Sequence, residues 1–109
     1  MSMNNEIGNY LNHIGNQFEA WFERSSLNSS EYAKNRISEF KASLRIEQGN
    51  KFIKVIHDNS VHSFIVIKDD DKFKKGDILK AASWKAPAKN FARGNILNNN
   101  YANVQWTGA

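Results

Sequence analysis

The spacing of the apolar residues changes period near Gln48-Gly49-Asn50, and that change constrains the fold more than any motif in the chain. Before it, Ile7, Tyr10, Leu11, Ile14, Phe18, Trp21 and Phe22 recur three and four apart, which lays them on one helical stripe. Gly8 and Gly15 interrupt the pattern and weaken isolated helicity by about 1 kcal/mol each, so this helix depends on packing. It ends near Arg24, where Ser25 and Ser26 begin a polar break. A second helix starts with Asn28 as cap and Glu31 three residues on, the spacing of a capping box. Ala33, Ile37, Phe40 and Leu44 carry its stripe, Tyr32 flanks it, and Gln48-Gly49-Asn50 reads as its stop.

After the change the period is two. "KFIKVIH" (51–57) and "VHSFIVIK" (61–68) are rich in β-branched and aromatic residues, and Asp58-Asn59-Ser60 between them predicts a tight hairpin. Ile53 and Val55 share one face of the first strand; Phe52, Lys54 and Ile56 share the other. In the second, Ser63, Ile65 and Ile67 alternate with His62, Phe64 and Val66. Both faces are partly apolar, which predicts a sheet covered by helices on one side and partly covered on the other. "DDDKFKKGD" is a solvated loop turning at Gly76, and "ILKAAS" returns as a third strand. "WKAPAKNFAR" is too broken for a strand and reads as an irregular excursion with a helical turn starting at Pro87. "GNIL" and "NVQW" are short strands around Asn98-Asn99-Asn100.

The expectation is an α+β domain over residues 1–109, with two N-terminal helices (4–47) packed on a four- or five-stranded antiparallel sheet (50–107). The absence of cysteine removes disulfides and thiolate metal clusters. The N-terminus has neither the basic start nor the apolar core of a cleaved signal, and no apolar run is long enough for a bilayer. An intracellular protein without membrane association is the expectation.

Charge is unevenly placed. Residues 1–47 hold five Lys/Arg and six Glu, net −1, whereas 48–109 hold ten Lys/Arg and five Asp, net +5. Beyond Asp77 the chain carries Lys80, Lys85, Lys89 and Arg93 and no acid, interleaved with Trp84 and Phe91. An aromatic face beside cations suits a base and its phosphate. Arg93-Gly94-Asn95 offers a forked donor and free backbone N–H groups for phosphate oxygens, and Gly94 permits close approach by a ligand or a backbone. The candidate ligand-binding residues are therefore Lys80, Trp84, Lys85, Lys89, Arg93 and Asn95. Taken singly, Trp84 and Phe91 read instead as core, one closing the sheet edge and the other plugging the space beneath the excursion.

Nothing here predicts catalysis, a cofactor or a metal. There is no GxSxG elbow, P-loop, GxGxxG, HExxH or calcium-loop spacing, and the carboxylates sit on helix surfaces or in the acidic loop. His57 and His62 flank the hairpin turn but lack further ligands, so a structural or exposed pair is favoured over zinc. The stripe ending in Trp21-Phe22 leaves open a dimer face or a protein groove on the first helix.

The segment "KFKKGDILKAASWKAPAKNFARGNI" with the closing "WTGA" resembles small uncharacterised proteins of tailed bacteriophages that share a GDI-x-KAASW-x-APAK core, an RGN step and a WTG close. The resemblance is close over 72–109 and looser over the 50–68 hairpin. It implies a viral protein acting in the host cytoplasm, with no functional residue to carry over. The expected function is non-enzymatic binding of a phosphorylated ligand, such as a nucleotide signal of host defence. The alternatives are nucleic-acid binding and docking on a host enzyme, and a homo-oligomer is open under every reading.

Overall fold

The computed structural model describes residues 3–24 and 31–109. Two helices, α1 (Asn4–Glu23) and α2 (Glu31–Ser43), precede five strands: β1 (Arg45–Gln48), β2 (Phe52–His57), β3 (Ser60–Val66), β4 (Asp77–Lys80) and β5 (Gly94–Asn95). The strands form one antiparallel sheet in the order β1-β2-β3-β4-β5, so strands adjacent in sequence are adjacent in space. The fold is α+β, as the change of period predicts. The Ser25-Ser26 break and the Asn28 cap lie outside the described residues.

Both helices lie on one face of the sheet. From α1, Ile7, Tyr10, Ile14, Phe18 and Phe22 are buried against Ile53, Val55, Ile65, Ile78 and Ile96. From α2, Ala33 and Phe40 join them, and Phe40 stacks on Phe18 with ring centroids 4.1 Å apart. Trp106 closes this cluster edge-on to Phe18 and Phe40. The stripe on α1 is therefore core. Trp21 alone stands out of it, 45% exposed beside Trp106.

The far face carries a second, smaller core of Phe64, Val66, Phe73 and Leu79, with Phe52, Val61 and Ala81 packed around it. Loop 69–75 covers part of it. Asp70 Oδ1 accepts from the N–H of Lys72 and Phe73, and Asp69 Oδ1 from that of Lys75, so these two acids shape the loop. Those backbone bonds lower the Asp70 pKa.

Several local expectations are corrected. Residues 45–48 form an edge strand rather than the end of α2, and Gly49-Asn50 belongs to a β-hairpin turn, with Gly49 N–H bonded to Phe52 O at 2.9 Å. "NVQW" is not a strand; it contributes only an isolated bridge between Gln105 and Gly108. No helical turn starts at Pro87. This buried residue bridges Ala81 in an arm that doubles back on itself. Ala88 N–H bonds Lys80 O, Ala82 N–H bonds Ala86 O, and Ser83 Oγ accepts from the N–H of Lys85 and Ala86. Trp84 and Lys85 form the tip of this arm.

The alternation in β3 is also broken. Val55 pairs with Ser63 but Ile56 pairs with Val61, so His62 is the extra residue of a β-bulge. His62 therefore turns toward the helices together with Ser63 instead of sharing the far face with Phe64 and Val66. There it completes a buried polar chain. His62 Nε2–H donates to Gln105 O at 2.7 Å, which leaves Nδ1 to accept from the Ser63 hydroxyl at 2.8 Å. Ser63 Oγ in turn accepts from Tyr10 OH at 2.8 Å. Each polar atom has a partner, as burial requires.

This chain gives acid sensitivity with a definite sign. Burial pushes the His62 pKa down from the usual 6.5 to about 4, only partly offset by the bond to Gln105. Burial also lowers that of His57, which packs 5.8 Å from the His62 ring. The unfolded chain takes up a proton at 6.5 that the folded chain refuses, so stability is complete above pH 6.5 and declines as pH falls toward 4. His62 alone contributes about 3 kcal/mol to that decline. Melting temperature measured from pH 7 to 4 should fall steeply, and His62→Gln should flatten the slope while lowering the plateau.

Candidate functional site

The far face of β2 and the arm together build the most distinctive surface of the molecule. Alternation along β2 places Phe52 and Lys54 on this face. The arm leaves β4 and reaches them, bringing the Trp84 ring over Lys54 Nζ at 4.7 Å. Lys54 also faces Glu47 at 3.7 Å, and its side chain is only 15% exposed. Further along, Lys89 Nζ lies 5.7 Å from the centre of the Phe52 ring. Lys72 Nζ donates to Lys89 O, tying the acidic loop to the arm. Aromatic rings and cations thus alternate along the surface, each cation lying over a ring face where the quadrupole attracts it.

Two shallow depressions flank Phe52. One, of about 290 Å³, is bordered by Glu47, Asn50, Lys51, Lys54, Phe64 and Lys85. The other, of about 230 Å³, is bordered by Asn50, Lys51, Val66, Lys68, Asp69 and Asp70. The first depression sets Lys51, Lys54 and Lys85 against Glu47 alone and is cationic, whereas in the second Lys51 and Lys68 are balanced by Asp69 and Asp70.

The six residues singled out by the sequence do not share one recess. Trp84, Lys85 and Lys89 gather around β2. Lys80 lines a different depression, with Val61, Ala81, Thr107 and Gly108. Arg93 stacks its guanidinium 4.1 Å above Phe91, and its Nε has no hydrogen-bond partner among the described residues. Asn95 is buried, and its amide is fully used inside the fold. It donates to Lys75 O and Asp77 Oδ1 and accepts from the N–H of Leu97 and Asn98. Asn95 organises the turn into β5. The core reading of the two aromatics is also corrected, since Trp84 is 45% and Phe91 56% exposed.

Sequence reasoning missed Lys51, Phe52, Lys54 and Lys68. The signal was there in "KFIKVIH", where Phe52 and Lys54 share a face, but the arm that completes the surface could not be placed against it. His62 and Ser63 adopt the geometry of a base beside a nucleophile; both are buried, as is Tyr10, and His62 borders the depression that Lys80 lines. Among the described residues no three His, Cys, Asp or Glu side chains gather to hold a metal ion, and no helix is long and apolar enough to cross a membrane.

The chain belongs to a family of unknown function, DUF7717, whose profile it matches over residues 1–109. No curated protein and no solved structure matches it.

Proposed function

We propose that this member of the DUF7717 family is a non-enzymatic binding protein whose far face takes single-stranded nucleic acid. The observation that carries the reading is Trp84, held half-exposed at the tip of the arm between Lys54 and Lys85, with Phe52 and Lys89 continuing the same surface. A ring offered to solvent beside cations suits an unstacked base and the phosphates on either side of it. The spread of the cations supports a strand-tracking surface over a closed mononucleotide pocket, because phosphates along a strand are themselves spread. In the phage setting suggested by the resemblance, the ligand would be met in the host cytoplasm.

A second reading rests on the depression of about 290 Å³ beside Lys51, Lys54 and Lys85, which approaches the size of a small-ligand site. There a nucleotide signal of host defence would bind alone. Docking on a host enzyme through α1 has less support, since its stripe is occupied by the core.

Fluorescence anisotropy with a labelled oligothymidine, an adenine mononucleotide and a DNA duplex separates these readings. The single strand should bind most tightly, with log K falling linearly against log salt at a slope of about −0.7 per phosphate engaged. Binding of the mononucleotide alone, with little salt dependence, would support the second reading. No response to any of the three would contradict both.

A further inference from the structure

The outer edge of β1 is built to meet its own copy, and we infer that the protein pairs with a second copy of itself through this strand. The inference does not depend on the nucleic-acid reading. Gly49 and Phe52 form a hydrogen-bonded pair, and such pairs alternate along an antiparallel ladder. Glu47 with Lys54 and Arg45 with Ile56 are then the next bonded pairs. The N–H and C=O groups of Ile46 and Gln48 consequently point out of the sheet, where β1 has no neighbouring strand. Unpaired edges of this kind template further pairing unless something blocks them. β1 has no proline or bulge and Ile46 is 40% exposed; the strand is short, and its charges, Arg45 and Glu47, restrict it to a partner that can pair with both.

The side chains select the partner. When a second β1 lies antiparallel with Ile46 opposite Ile46, the two residues on the dyad exchange both backbone bonds. Arg45 of each copy then stands opposite Glu47 of the other, so two opposite-charge pairs form on the far face. Ile46 meets Ile46 on the helix face, beside a depression of about 280 Å³ whose border mixes Met3, Ile7 and Ile53 with Asn4, Lys68 and Lys75. A one-residue shift would set the outward-pointing backbone groups of Ile46 against Glu47, whose own groups are spent on β2, so no ladder would form. Glu47 is 57% exposed and already faces Lys54 only at 3.7 Å, so it is free to turn outward. Arg45 spends Nη1 on Ser43 O and Asp58 O of its own chain, while its other N–H groups remain to donate. In the ten-stranded sheet that results, both far faces point the same way.

Sedimentation velocity from micromolar to millimolar concentration tests this, against a monomer mass of 12.5 kDa. The native chain should sediment as a dimer. Glu47→Arg, which sets like charges opposite each other twice, should raise the dissociation constant on the order of tenfold or more, and Arg45→Glu combined with Glu47→Arg should restore the dimer. Ile46→Pro removes an N–H that the ladder inside the chain does not use, and should give a folded monomer by circular dichroism. A native chain that stays monomeric throughout, or a dimer indifferent to Glu47→Arg and Ile46→Pro, would overturn the inference.

Discussion

Gly94→Ala should cost about 3 kcal/mol or more, enough to lower the melting temperature by roughly 15 °C. A Cβ at this position would stand 2.1 Å from Asn100 O and 3.2 Å from Asn100 C. Both are backbone atoms of a turn closed by reciprocal bonds, Asn95 N–H to Asn100 O and Asn100 N–H to Asn95 O. Neither can give way as a flexible side chain would. Displacing them would also disturb Ile96, which is fully buried in the main core, and β5, whose pairing with β4 spans only two residues. The glycine that the sequence marked for close approach is met by the chain's own backbone. Gly8→Ala provides the contrast in the same assay. It lies inside α1 with nothing within 4 Å of its added Cβ, so it should stabilise by about 1 kcal/mol.

Trp84→Ala should weaken single-strand binding by about 5- to 150-fold, corresponding to roughly 1–3 kcal/mol for one stacked base. The substitution should lower the melting temperature by only a few degrees, because Trp84 contributes to neither core cluster. Its fold-side contact is Lys54, a largely buried cation, and that pairing contributes about 1 kcal/mol. Lys85→Ala should reduce affinity less, and it should lower the magnitude of the salt slope by about 0.7 if it contacts one phosphate. Asn95→Ala gives the opposite pattern to Trp84→Ala. Its amide makes four internal bonds, so the protein loses stability first and binding only as a consequence.

What the sequence could convey follows the range of the interactions concerned. The α1 stripe and the β2–β3 hairpin are local patterns, and residues such as Ile14, Phe18, Ile53 and Ile65 occupy the core that their spacing predicts. β1 was hidden because Leu44 continues the helical spacing of α2 and Gly49-Asn50 serves a helix stop and a hairpin turn equally well. The bulge at His62 depends on how β2 and β3 register, and the sequence of β3 alone does not contain it. The arm is the clearest case. Ser83 and Pro87 shape it locally, but its destination over Lys54 and Phe52 is a contact between residues some thirty positions apart. For that reason Trp84 reads as core in the sequence, and Lys54 of β2 does not stand out as part of the site.

The three tryptophans offer the most direct test of the binding face. Trp84 sits on the arm at the far face, whereas Trp21 is equally exposed beside the helices and Trp106 packs edge-on to the stacked Phe18 and Phe40. In a two-dimensional ¹⁵N–¹H spectrum their indole N–H groups give separate signals, each assigned by a single Trp→Phe variant. Titration with oligothymidine should move the Trp84 signal, together with backbone amides of Lys51–Lys54 and Lys85, and leave Trp21 and Trp106 in place. A Trp84 signal that stays fixed at saturation, or a response confined to Trp21 and the helices, would contradict the account.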